Sequence, residues 1–139
     1  LHSFLGHMAI VDDVDIDPTG TMIASVSRDF TMKVYRLDDA SMVGSYPLGR
    51  RSPKAVCFFD KDTVIVTNYW GSLLRFDVSS GDTLVRHIAR NGISALARCG
   101  DYLVASSYDG ALYLVDPVTM EPVNTLRSMT QRLMPSALI

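Results

Sequence analysis

The chain has 139 residues, 47% of them hydrophobic and 20% charged, which excludes a disordered chain and suffices for one packed domain. Its formal net charge of -2 gives no reason to expect nucleic acid or an acidic membrane as partner. No apolar run approaches the roughly 18–20 residues that a membrane-spanning helix needs.

From the N-terminus, residues 1–5 read as the end of a strand. Four runs rich in Val, Ile, Met and Tyr follow at 13–17, 22–27, 31–37 and 42–48, separated by turn residues. Asp17-Pro18-Thr19-Gly20 is a strong turn, because Pro presets φ and Gly supplies a positive φ. A second set of runs occupies 54–59, 63–68, 72–78 and 83–88. Ser79-Ser80-Gly81-Asp82 turns it at the place where Asp38-Asp39-Ala40-Ser41 turns the first. A third set occupies 94–99, 102–107, 111–116 and 122–127, with the hairpin signal Asp109-Gly110 and the turn Pro117-Val118-Thr119-Met120. Residues 128–139 read as the start of a fourth set, its first strand at 135–139. Helical periodicity is absent throughout.

The three sets are copies of one unit. Ser27-Arg28-Asp29-Phe30-Thr31 aligns with Asn68-Tyr69-Trp70-Gly71-Ser72 and Ser107-Tyr108-Asp109-Gly110-Ala111, so Phe30, Gly71 and Gly110 are 41 and 39 residues apart. A period of about 40 residues with four strands per unit predicts an all-β fold, a β-propeller portion built of four-stranded antiparallel blades. The inner strands are apolar at nearly every position, as in sheets covered on both faces by neighbouring blades. The expected blades are 8–48, 53–88 and 93–127, with partial blades at 1–7 and 128–139. Three blades do not close a ring, so the remaining blades are expected from a longer parent chain or from a homo-oligomer.

The first unit resembles the WD-repeat family. Gly6-His7 matches that family's GH dipeptide, and the stretch from Ile23 to Tyr35 resembles the approach to its closing tryptophan. Tyr35-Arg36 stands where Trp-Asp is typical, and Phe76-Asp77 and Val115-Asp116 keep the Asp. The resemblance implies a hydrogen-bonded network of His7, Ser25 or Ser27, Asp29 and Tyr35 that fixes the loops of the first blade. In the third blade Asp109 keeps the place of Asp29, whereas Trp70 holds it in the second. Arg50 and Arg90 lie near the places of the missing histidines.

Catalytic and metal readings find little support. Gly-x-Ser-x-Gly, phosphate-loop and dinucleotide patterns are absent. Asp12, Asp13, Asp15 and Asp17 lack the spacing of a calcium loop, and the two cysteines and three histidines lack metal-ligand spacing. No cofactor and no metal is expected, and the chain is read as a non-enzyme. Cys57 and Cys99 are expected to be buried free thiols, which suits a reducing, cytoplasmic setting.

The loops between second and third strands, and those joining blades, open on one side of a propeller. They carry Arg28, Phe30, Arg50, Arg51, Tyr69, Trp70, Arg90 and Tyr108, residue types enriched at interface hot spots. The expected function is therefore a non-catalytic scaffold or recognition module that holds a protein or peptide on this face. The alternative is a portion of a propeller enzyme, or a ligand-sensing domain of a larger signalling protein. Neither membrane nor nucleic acid is expected as partner.

Overall fold

Turn residues recurring about every ten positions reverse the chain again and again, and within each set of four each strand pairs antiparallel with its predecessor. In the computed structural model, which describes residues 2–126, the result is three separate four-stranded sheets in simple meander order. The first blade is β1 (Val11–Ile16), β2 (Met22–Ser27), β3 (Thr31–Arg36) and β4 (Met42–Pro47). The second is β5 (Pro53–Phe58), β6 (Thr63–Asn68), β7 (Ser72–Asp77) and β8 (Thr83–His87). The third is β9 (Ile93–Cys99), β10 (Tyr102–Ser107), β11 (Leu112–Val115) and β12 (Pro122–Leu126).

The turns work through side chains. Asp17 accepts hydrogen bonds from the amides of Thr19 (3.1 Å), Thr21 (2.7 Å) and Met22 (2.7 Å), and from the Thr19 hydroxyl. This occupation ends β1 one residue earlier than the sequence pattern predicts. At the other end of β1 a bulge between Val11 and Asp13 sets Asp12 toward Arg28, whose Nε donates to it at 3.2 Å.

Strand alternation distributes the core into two layers between blades. Val26, Met32 and Val34 of the first blade meet Phe58, Val64, Val66 and Phe76 of the second. The other face of the second blade presents Ile65 and Leu73 to Ile93, Leu103, Ala105, Tyr113 and Val115 of the third. The middle blade is thus apolar on both faces because both faces are covered, as its near-continuous apolar strands predict. The buried polar exceptions on β6 are Asn68 at its end and Thr67, fully buried, whose hydroxyl accepts from the Ala55 amide (3.0 Å) and donates to the Ile93 carbonyl (2.9 Å).

Blades 1 and 2 are also joined at their innermost strands. Asp13 and Asp15 on β1 accept from the amides of Val56 (3.0 Å) and Phe58 (2.7 Å) on β5. Blades 2 and 3 are tied where Arg75 on β7 donates to the carbonyls of Pro117 (3.0 Å) and Val118 in the β11–β12 turn.

Two expectations need correction. Residues 2–5 form no strand: they lie across the face of blade 1, with Phe4 edge-on to Tyr35 at 5.4 Å and His2 bonded to the Asp38 carbonyl at 2.8 Å. A segment crossing a face meets side chains rather than a ladder of backbone groups. The cysteines also differ from each other. Cys57 is buried, and burial pushes its thiol up to about 11, whereas Cys99 is exposed at the end of β9. Alternation alone predicts equivalent sites, but Cys99 sits at a strand end beyond the cover of the second blade. The expected fourth set at 128–139 lies outside the described residues. Among the described residues, no helix is long and apolar enough to cross a membrane.

Candidate protein-interaction surface

The turns β2–β3, β6–β7 and β10–β11 lie at the same end as the links between blades, so each turn is held against a link. In the first blade the holding group is Asp29. Its Oδ1 accepts from the Thr31 amide (3.0 Å) and hydroxyl (2.6 Å), and its Oδ2 accepts from the Met8 amide (3.0 Å). His7 Nδ1 lies 3.0 Å from Asp29 Oδ2 and Nε2 lies 2.7 Å from Ser25 Oγ. A carboxylate only accepts, so Nδ1 carries a proton; in the neutral ring Ser25 then donates to Nε2. Ser27 Oγ accepts from the Asp29 amide at 3.1 Å. Burial pushes the Asp29 carboxyl up, but the Thr31, Met8 and His7 bonds outweigh it and hold the group well below the usual carboxylate range.

Tyr35 stands outside this network. Its hydroxyl is buried without a hydrogen-bond partner, and a Cβ on Gly6 would lie 2.6 Å from it. Phe4 and Gly6 cover the ring, so it serves as packing under residues 2–7 and not as the donor that the family pattern implies. Thr31, which the sequence reading left out, takes part instead. The second blade does without the histidine and the aspartate: Asn68 Oδ1 accepts from the amides of Trp70 (2.9 Å) and Ser72 (3.1 Å). In the third, Asp109 accepts from the Ala111 amide (2.9 Å) and the Tyr113 hydroxyl (3.0 Å).

These held turns present aromatic rings to solvent. Phe30 is 37% exposed, Tyr69 41%, and Trp70 and Tyr108 56% each. Tyr69 and Tyr108 stack across blades 2 and 3, with ring centroids 6.4 Å apart and planes 8° from parallel. Lys54 Nζ sits 4.9 Å from the Tyr69 centroid and 5.9 Å from that of Tyr108, and the Arg51 guanidinium lies 5.1 Å from the Trp70 ring. Such cation–ring contacts each contribute about 0.5–1 kcal/mol at exposed sites and fix the charged head in place. Phe30, Arg50, Ser52, Tyr69 and Trp70 line a shallow pocket of about 440 Å³.

Phe30 occupies this pocket's edge at φ +65°, in the left-handed region, where the equivalent Gly71 and Gly110 have φ +84° and +87°. A bulky side chain in that conformation costs about 1–2 kcal/mol relative to glycine's freedom.

The structure brings Phe30, Arg50, Tyr69 and Trp70 together, with Arg51 and Tyr108 adjoining through ring contacts. Arg28 is held by Asp12 and does not line the pocket, and Arg90 stands exposed on the loop between β8 and β9. Lys54 was missed from sequence; only its closeness to Arg50-Arg51 marked it. Among the described residues, no cluster of His, Cys, Asp and Glu is placed to hold a metal ion.

The family model described as WD domain, G-beta repeat, matches residues 1–36, the N-terminal segment and first three strands. No curated protein matches the chain. Among solved structures, the WD40 repeats of RRP9 superpose with a TM-score of 0.79 at 15% identity, over 90% of this chain and 41% of that one. The computationally designed Ika8 protein superposes with a TM-score of 0.76 at 18% identity, over 89% of this chain and 38% of that one. The designed Ika4 protein gives 0.73 at 18% identity, over 94% and 78%. The chain therefore spans well under half of the Ika8 and RRP9 structures it resembles. With three four-stranded blades in the structure, these findings make the fold a WD-repeat-like β-propeller. Folds of this kind commonly mediate protein interactions.

Proposed function

We propose that the chain acts by recognition rather than catalysis, and that its partner, a protein or peptide, binds the loop end around Phe30, Arg50, Arg51, Tyr69, Trp70 and Tyr108. The observation that carries this reading is the set of exposed aromatics held in fixed positions around one pocket, including a strained Phe30. Aromatic side chains offer a large contact area at little loss of conformational freedom on binding, and with arginine they are the types enriched at interface hot spots. Arg28 and Arg90 belong to the rim in this reading. The three blades 8–48, 53–88 and 93–127 act as one unit. The apolar groups exposed on blade 3, such as Tyr102, Leu112 and Val123, are reserved for a further blade, from a longer chain or a second copy. A cytoplasmic setting fits the two free thiols.

Trp70→Ala is expected to weaken partner binding about tenfold or more, measured by calorimetry, with an unchanged thermal midpoint. A large fall in that midpoint would instead assign Trp70 to the core. Phe30→Gly separates function from stability more sharply. Relief of the left-handed strain offsets the greater freedom of glycine in the unfolded chain, so stability is expected to hold or to rise by up to about 1 kcal/mol. Binding is expected to fall in the same variant. Loss of more than about 1 kcal/mol in urea unfolding would show Phe30 to be a packing residue.

A further inference from the structure

The small net charge conceals a sorting of charges by end. On the end opposite the pocket, the turns and strand ends of the first two blades carry Asp38, Asp39, Asp60, Asp62, Asp77 and Asp82, an excess over the cations there, Arg36, Lys61, Arg75 and the Arg98 that reaches in from β9. On the pocket end the carboxylates are already engaged. Asp29 is bonded to His7, Met8 and Thr31, Asp12 to Arg28, and Asp109 to Ala111 and Tyr113. Arg51 and Lys54 have ring faces as neighbours, and among the described residues no carboxylate pairs with them or with Arg50.

From this sorting we infer the chemistry of the partner: an acidic peptide with an apolar side chain. The side chain enters the pocket between Phe30 and Trp70, and neighbouring carboxylates meet Arg50, Arg51 and Lys54. The inference rests on the reading that the loop end binds protein. Three points favour it over other occupants. The pocket offers apolar walls with a cationic rim, which matches an apolar residue flanked by acids. Arg51 and Lys54 are held by ring contacts before any partner arrives, so little of their side-chain freedom is lost on pairing. Base stacking, which a single-stranded nucleic acid requires, meets rings already faced by Lys54 and Arg51. The acidic far end also repels a long polyanion, whereas a short peptide carries only local charge.

The test is selection of a displayed random dodecapeptide library on the full chain, followed by fluorescence anisotropy with the selected peptides. The expected peptides have net negative charge and at least one apolar residue. Their affinity is expected to fall tenfold or more in the Arg50→Glu, Arg51→Glu double variant and to stay unchanged in Lys61→Glu at the opposite end. It should also weaken several-fold between about 50 and about 300 mM NaCl, as screening shortens the reach of charge. Neutral or basic peptides that lose binding in Trp70→Ala, or acidic ones that depend on Trp70 but not on the arginines, would overturn the charge inference and leave the loop-end reading intact. Acidic peptides indifferent to Trp70→Ala and to the arginine reversal would overturn both, as would a library from which nothing is selected. An oligouridylate probe that binds more tightly than every selected peptide, and loses binding in the double variant, would assign the surface to nucleic acid.

Discussion

Gly71→Ala is expected to destabilise the chain by about 2–5 kcal/mol, read as a lower urea midpoint with an unchanged slope. Two effects add. Gly71 has φ +84°, where any Cβ meets its own backbone at a cost of about 1–2 kcal/mol. The surroundings are also closed: a Cβ there would lie 2.0 Å from the Ala89 carbonyl oxygen and 2.7 Å from that of Asn91. Both are backbone atoms, and the same stretch is fixed by bonds from the Ile88 (2.9 Å) and Ala89 (3.1 Å) amides to the Gly71 carbonyl. Neither partner can swing away as a side chain would. Gly110→Ala is the internal control. Its φ is +87°, yet a Cβ there meets nothing within 4 Å, so only the conformational cost of about 1–2 kcal/mol is expected. Equal losses in the two variants would refute the account of a backbone clash at Gly71.

Asp29→Ala is the second large effect, expected at about 2–4 kcal/mol. The carboxylate accepts from two amides, one hydroxyl and the His7 ring, and its removal leaves His7 and the Thr31 hydroxyl short of an acceptor in a part-buried site. Asp29→Asn keeps the shape and serves for the pH test. The folded-state pKa of Asp29 lies below its unfolded value, so its stabilisation is fully present above the ordinary carboxylate pKa. It is lost as pH falls through that value toward the folded one. Thermal midpoints of the wild-type chain and Asp29→Asn should therefore differ most near neutral pH and converge in acid. A gap that stays constant down to pH about 3 would mean that the charge of Asp29 contributes nothing and that only its shape matters.

The fold was largely legible because its causes are local. The 41- and 39-residue steps, the Asp17-Pro18-Thr19-Gly20 turn and the two-faced apolar character of β6 each depend on chemistry within a few residues. The failures share a different cause. That residues 2–5 cross a face, that the Tyr35 hydroxyl is walled in by Gly6, and that Cys99 escapes burial all depend on what another part of the chain places alongside. The aromatic side of the candidate surface was visible as Tyr, Trp and Phe at turn positions where a core role is absent. Lys54 was not visible, because nothing in a lysine near the start of a strand announces a pair of stacked rings from different blades beside it.

The acidic residues of β1 have a consequence for how the chain meets other chains. An inner strand is the border of its sheet, and its outward amides offer a template on which a foreign strand can zip. Asp13 and Asp15 occupy those of Val56 and Phe58. Positions 13 and 15 correspond to Ala55 and Cys57 on β5, which bring no carboxylate to β9. The two borders therefore differ in kind. The amides of Val56 and Phe58 are shielded from deuterium exchange and from templated fibril growth by two aspartates. Among the described residues the border of β9 has no such carboxylate plug, so pairing with a foreign strand is expected there sooner than at β5.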